Sequence, residues 1–379
     1  MKEKSKRVDF LDGLLVALAA GILLTLGVGC LLLPQERFSE QENRVLTAWE
    51  VPSLSEILDG SFSERLGTVY RDQFPLRRAW IATKAYSEVL LGKRENGGIL
   101  WGEDGTLMAK NTDYDLSVLG RNLSAVRQFV KENPLLSITA AWIPQSADVM
   151  TQELPKNYPS DAAEALYNSL EGEGIVLLPE LADAAREGTQ VYYRTDHHLT
   201  TEGAYLVYCR LGERLGYTPC PFEFFDRQTV SEHFFGSADS AIGGIAPRAD
   251  SIELFRYAED AKVCVTDCIT GEVREGFYQL DALGKKDQYE VFLGGNFAHL
   301  RITSESEEEK PTLLLIKDSF ANALIPFLAI HFDLEVVDLR YLSDELALAE
   351  CDQVLVLYGV HTLSTDPSLA KLSFLKKKG

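Results

Sequence analysis

The stretch "TLLLIKDSFANALIPFLAIHF", residues 312–332, decides the fold class. Leu313 to Ile316 is an apolar run without polar alternation, the pattern of a strand covered on both faces, and the residues from Ala321 onward read as the helix that follows it. The same grammar recurs outward from this point. "LLSITAAWIP" (135–144), "LEVVDLRY" (334–341) and "DQVLVLYGV" (352–360) read as buried strands. "LSVLGRNLSAVRQFVKEN" (116–133) repeats apolar residues at helical spacing through Leu116, Leu119, Leu123, Val126 and Val130. "EALYNSLEGEG" (164–174) leads into "IVLLPEL" (175–181), and "TEGAYLVYCRLGERLG" (201–216) is a helix that Thr200 or Thr201 can cap. The expectation is an α/β layered domain with a mainly parallel sheet. Residues 221–310, rich in turns and short β-like pieces, are expected as a β-rich insertion.

At 379 residues the chain is too long for one small domain, and its 46% hydrophobic content fills a sizeable core. The net charge of -20 is spread along it, which favours solubility and argues against a nucleic-acid partner. Lys2, Lys4, Lys6 and Arg7 precede 22 uncharged residues, Gly13 to Pro34. At about 1.5 Å per residue that run reaches roughly 33 Å, enough to cross a bilayer. The basic flank puts residues 1–10 in the cytoplasm and 11–34 in the membrane as a single-pass signal anchor, with the C-terminal bulk extracytoplasmic. A cleaved signal peptide is the alternative. "LGVGC", ending at Cys30, has Gly27 where a lipidation signal wants an aliphatic residue. Residues 35–95 read as a juxtamembrane stalk with short helices, and 96–379 as the main domain. The six cysteines make no disulfide framework; a Cys264–Cys268 pair stays open.

Ser319 sits where strand gives way to helix, a place where free N–H groups and the helix dipole favour an oxyanion. Asp318 or Ser319 acting as a plain cap is the competing reading. "YYRTDHHLTTEGAYL" (192–206) supplies what a serine nucleophile needs. In extended backbone, residues two apart share a side, so Asp196 and His198 point together and His197 points away. His198 is then the base, since an unperturbed histidine, with a pKa of about 6.5, suits proton transfer near neutral pH, and Asp196 is its orienting partner. Metal ligation by Asp196, His197 and His198, and a merely structural cluster, are the alternatives, although adjacent histidines seldom reach one ion from one strand. His233, His299, His331 and His361 stand isolated. "FLGGNFAHL" (292–300) offers paired glycines and an asparagine amide that suit either an oxyanion or a tight turn at Gly294, Gly295 and Asn296.

"FSEQENRVL", "DQFPLR", "TDHHLTTEGAY", "FLGGN", "LLLIKDSFANALIPFL" and "VVDLRY" together resemble the bacterial DHHW family, which is similar to the alginate O-acetyltransferase proteins with their SGNH-hydrolase-like domain. The resemblance implies a three-layer SGNH-like domain in which Asp196 and His198 match the Asp-x-His pair and Ser319 the nucleophile. Gly295 or Asn296 would match oxyanion donors. Two positions depart from it: Leu199 stands where the family has tryptophan, and Lys317 where the usual block has glycine. What it implies is an extracytoplasmic O-acyltransferase, without metal or cofactor. The enzyme would take an acyl group from a multispanning membrane acyltransferase and place it on an envelope polysaccharide. An esterase with the same triad and a non-catalytic assembly protein are the other two classes.

Overall fold

The computed structural model describes residues 2–377 apart from 40–43, 113, 159–165, 168–169, 171–174, 177, 259, 305–308 and 349. The chain divides into two compact units, Met1–Gly92 with Ile242–Ile245, and Lys93–Ala241 with Ala246–Gly379.

The first unit opens with helix α1 (Lys2–Leu32), whose segment Leu11–Cys30 is, among the described residues, the one helix long and apolar enough to cross a membrane. Three helices follow: α2 (Leu54–Asp59), α3 (Ser61–Asp72) and α4 (Arg77–Leu90). Ser53 and Glu56 start α2 with a reciprocal capping box. The chain leaving α1 is stitched to the end of α3. Gln73 Nε2 donates to the carbonyls of Glu36 (2.8 Å) and Thr47 (3.0 Å), and the Thr47 N–H donates to Asp72 Oδ2 at 2.8 Å.

Among the described residues, the second unit is built on a sheet of eight strands. In chain order they are β1 (Ser137–Ile143), β2 (Ile175–Val176), β3 (Val263–Asp267), β4 (Val273–Glu275), β5 (His299–Ser304), β6 (Thr312–Lys317), β7 (Asp333–Val337) and β8 (Gln353–Gly359). Their spatial order is β4-β3-β5-β7-β6-β8-β1-β2. Neighbours from β7 through β2 run parallel. The pairs β5–β7, β3–β5 and β3–β4 run antiparallel. The expected mainly parallel sheet is therefore corrected to a mixed one. The antiparallel pairs all involve strands of the 221–310 segment: β3 and β4 are joined by the short connection 268–272, which only antiparallel neighbours allow, and β5 runs antiparallel to both β3 and β7. That segment also holds an antiparallel pair, Asp226–Phe234 with Asp250–Arg256.

Alternate residues of the central strands enter two separate cores. Leu313, Leu315, Leu355, Leu357, Ala141 and Ile143 face one, whereas Leu314, Ile316, Val354, Val356, Ala140 and Trp142 face the other. Helix α5 (Leu116–Glu132) covers the second face with Leu119, Leu123, Val126 and Phe129. Helices α6 (Pro179–Arg186) and α7 (Thr201–Leu215) cover the first. Both faces being dry explains why these strands read as unbroken apolar runs. Thr200 caps α7, accepting from the Gly203 N–H at 3.1 Å. Of the helix expected at 164–174, only Leu166, Tyr167 and Leu170 lie within the described residues.

One expectation needs correcting, and the open question of the cysteines is answered. No long helix follows Ser319: a 3-10 turn, Ser319–Ala321, precedes a four-residue helix, Ile325–Leu328, with Pro326 in its first turn. Phe320 to Ala329 are all buried, so the sequence is apolar whatever its period. Cys264 and Cys268 are free thiols. Four residues of extended chain span about 13 Å, well beyond the roughly 7 Å a disulfide tolerates.

Candidate active site

Ser319 and the Asp196–His198 pair come from segments 121 residues apart in sequence and meet in one hydrogen-bonded row. His198 Nδ1 lies 2.6 Å from Asp196 Oδ1, and His198 Nε2 lies 2.8 Å from Ser319 Oγ. A carboxylate only accepts, so Nδ1 carries the proton, and the Nε2 of the neutral ring is left to accept from the serine hydroxyl. Asp196 and His198 are buried and Ser319 half-buried.

The local backbone builds this row. Asp196 Oδ1 also accepts from the His198 backbone N–H at 2.9 Å, closing a tight turn, and Asp196 Oδ2 accepts from the Ser237 N–H at 2.7 Å. Burial alone would raise the Asp196 carboxyl. The neighbouring imidazoles and the bonds from His198 and Ser237 outweigh burial and hold it well below the usual carboxylate range. Gly236 makes the approach of Ser237 feasible: a Cβ there would lie 2.3 Å from the Asp196 Cβ. The residues just upstream of Asp196 are held by Asp250, itself 1% exposed, which receives the N–H groups of Arg194 (2.9 Å) and Thr195 (2.8 Å) and the Thr195 hydroxyl (2.7 Å). That clamp fixes the loop entering the Asp-His-His run.

The imidazole is also held face on. Tyr289 stacks on His198 with centroids 3.9 Å apart and planes 6° from parallel, and its hydroxyl donates to the Ser319 carbonyl at 3.3 Å. His197 lies on the other side of the ring, centroids 3.8 Å apart, with its own Nδ1 2.7 Å from Ser237 Oγ. The donor atoms of Asp196, His197 and His198 fall within 4.8 Å of one another. Each of these side chains is nonetheless already engaged, with Asp196 bound at both oxygens and His198 at both nitrogens.

Asp318 caps the turn that carries Ser319, its Oδ1 accepting from Phe320 N–H at 3.0 Å and its Oδ2 from Gly359 N–H at 2.9 Å. Capping therefore falls to Asp318 and leaves the Ser319 side chain to His198. Ser319 heads the turn, so its own N–H is not consumed by a helical bond.

Gly295 and Asn296 reach this region through Lys317 and Asn322; among the described residues neither hydrogen-bonds Ser319. Leu293, Gly294 and Gly295 take φ values of 66, 77 and 113°, so the positive-φ turn expected at Gly294, Gly295 and Asn296 is corrected to one that starts a residue earlier, with glycine easing two of its three positions. The Lys317 ammonium, 1% exposed, donates to Asn322 Oδ1 (2.7 Å) and Asn296 Oδ1 (3.1 Å) and lies 3.7 Å from Asp338 Oδ2. Burial pushes its pKa down to about 8. Asp338 is gripped by Arg340 through both carboxylate oxygens, at 2.9 and 2.7 Å. Because an ammonium has only donors, both amide oxygens must face it, and the Asn296 NH2 points away.

Leu199, at the family's tryptophan position, is 1% exposed and belongs to the core, so nothing aromatic is displayed there. His299, expected to stand alone, pairs with Glu335 at 2.5 Å, and Arg301 takes the other oxygen of that carboxylate. Sequence reasoning missed Tyr289, Gly236, Ser237 and Asp250. Only the Asp338–Arg340 pair had a signal, inside "VVDLRY".

The family model described as DHHW protein matches residues 165–337, the span that holds Asp196, His198 and Ser319. Two curated relatives bear the name probable alginate O-acetylase AlgJ. The one from Pseudomonas syringae pv. tomato is 23% identical over 232 residues, 58% of this chain and 56% of that protein. The one from Pseudomonas putida is 26% identical over 169 residues, 41% and 44% respectively. The chain thus spans about half the length of these relatives. Among solved structures, a DHHW family protein from Eubacterium siraeum superposes with a TM-score of 0.58 at 17% identity, covering 75% of this chain and 98% of its own. Bacillus cereus PatB1 with a sulfonyl adduct gives 0.57 at 21%, covering 74% and 98%. At these identities the likeness is one of fold. The family whose pattern residues 165–337 carry is that of the DHHW proteins.

Proposed function

We propose that the protein is an extracytoplasmic O-acyltransferase, with acetyl as its acyl group, acting on a cell-envelope polysaccharide through an acyl-Ser319 intermediate. The observation that carries this reading is the Asp196–His198–Ser319 row, with 2.6 and 2.8 Å links and a carboxylate held ionised. His198 takes the Ser319 proton as Oγ attacks the acyl carbonyl, and Asp196 stabilises the imidazolium that forms. The Ser319 N–H and the outward Asn296 amide, with the Gly295 backbone beside it, supply oxyanion donors. Collapse of the tetrahedral species expels the donor alcohol with the proton from His198. A sugar hydroxyl then repeats the sequence in reverse.

The polysaccharide acceptor is inferred from the alginate O-acetylase name of the relatives, and the SGNH-like assignment from the resemblance to the DHHW family, although the order Asp196, His198, Ser319 differs from that of ordinary SGNH hydrolases, where serine comes first. In this reading residues 1–10 are cytoplasmic, 11–34 anchor the chain, 35–95 form the stalk, 96–379 carry the chemistry, and a multispanning membrane acyltransferase delivers the acyl group.

The test is acylation by an activated acetyl ester, quenched in acid and read by mass spectrometry. Acetyl is expected on Ser319, abolished in Ser319→Ala. Ester formed on an added glycan supports transfer, whereas free acetate alone supports an esterase. A folded protein that takes acetyl from no activated donor overturns the catalytic reading.

A further inference from the structure

Helix α4 presents two faces of opposite kind. Ala85 is buried, and Ile81, Ala82 and Val89 are half-buried against the rest of the first unit. At about 100° per residue, Trp80, Tyr86 and Leu90 fall on the other side of the helix, around the small polar Thr83 and Ser87, and Leu76 and Leu91 flank its two ends. The five apolar side chains are between 53% and 87% exposed. Large apolar side chains clustered in the open like this mark an interaction site.

What lies against it is indicated by α1. A Cβ on Gly29, in the last turn of the apolar segment, would stand 2.9 Å from Pro75 Cγ, so the chain entering α4 touches the end of α1. Arg78 reinforces the junction by pairing with Glu36 at 3.1 Å. If Leu11–Cys30 crosses the hydrocarbon, Leu76 sits where hydrocarbon gives way to headgroups. Trp80 and Tyr86 are the residue types that favour that layer. The charge agrees: α4 carries Arg77, Arg78 and Lys84 against one acid, Glu88, in a chain of net charge -20. Basic residues beside an exposed aromatic and leucine face suit an anionic lipid surface.

We propose that α4 lies in the surface of the bilayer that α1 crosses, with Leu76, Trp80, Tyr86, Leu90 and Leu91 buried among acyl chains and headgroups. The proposal rests on the reading of α1 as a retained membrane span. A second copy of the chain, or a protein partner, would be a different occupant of the same face.

The full-length protein is reconstituted in vesicles of phosphatidylcholine and phosphatidylglycerol, with and without brominated acyl chains, and tryptophan emission is compared. Of the four tryptophans, Trp101 and Trp142 are buried and shielded. Bromolipid quenching is expected, and Trp80→Phe should remove the larger part of it, whereas Trp49→Phe leaves the Trp80 share. Leu90→Gln with Leu91→Gln should weaken quenching and shift Trp80 emission to the red. Protease treatment of the same vesicles reports on the anchor separately, through a shielded fragment containing residues 11–34. A shielded fragment with quenching indifferent to Trp80→Phe overturns the proposal and leaves the anchor standing. Loss of the shielded fragment overturns both. Crosslinking through the Trp80 face to another polypeptide, without lipid quenching, assigns the face to a protein and likewise refutes it.

Discussion

Gly236→Ala tests the site without altering any residue of the Asp196–His198–Ser319 row. The new Cβ would fall 2.3 Å from Asp196 Cβ, 2.4 Å from its Oδ2 and 2.7 Å from its Cγ, whereas ordinary contact begins at 3.4 Å. The carboxylate has to retreat by about 1 Å, a misplacement that in a preorganised site costs on the order of a hundredfold in rate. It would stretch the 2.7 Å bond from Ser237 N–H and the 2.6 Å bond to His198 Nδ1. Overpacking of one methyl destabilises by about 1–3 kcal/mol, which a folded domain of this size survives. The assay is the rate of acyl-Ser319 formation from an activated acetyl ester, with thermal unfolding measured in parallel. Expected is a fall of about a hundredfold in kcat/KM, near 2.7 kcal/mol of lost transition-state stabilisation, with a melting temperature lowered by only a few degrees. Gly284→Ala is the control, since a Cβ there meets nothing within 4 Å. A folded Gly236→Ala protein that acylates at the parental rate would refute the role assigned to Asp196.

Two further outcomes are expected. His198→Gln should cost orders of magnitude in acylation. His197→Gln, which loses a stacked neighbour and the bond to Ser237 Oγ, should cost no more than about tenfold, measured by the same ester assay. Lys317 concerns pH. Its pKa of about 8 when buried, against 10.5 for the solvated side chain, represents about 3 kcal/mol spent on keeping the charge. The unfolded chain binds the extra proton between those two values, so this group makes stability rise from pH 8 to 10.5. Lys317→Met should erase that rise in denaturant titrations at pH 7 and pH 10 compared with the parent. It should also loosen Asn296 and Asn322 and lower acylation.

What could be read from the chain was local. The position of Ser319 needs only the end of an apolar run, whereas Asp196 meets His198 through a tight turn and not the extended backbone expected from their spacing, and His197 stacks on His198 instead of pointing away. Strand direction was hidden because a doubly buried strand looks the same beside a parallel or an antiparallel neighbour, and β5, β3 and β4 made the sheet mixed. The helix expected after Ser319 failed because Phe320 to Ala329 are buried all round, leaving no polar face to mark a period. Gly236 was illegible for a different reason. Its role is a distance to a residue 40 positions away, and a glycine carries no mark of what it is near.

His198 is clasped between Tyr289 and His197, with Asp196 at one nitrogen and Ser319 at the other. A ring held on both faces and both edges cannot swing between two stations. In the proposed reaction the proton it collects must leave along the line by which it arrived, so the departing alcohol and the incoming sugar hydroxyl occupy one berth in succession. Donor and acceptor then never sit on the enzyme together, and varying one at fixed levels of the other should give the parallel double-reciprocal lines of a double-displacement enzyme.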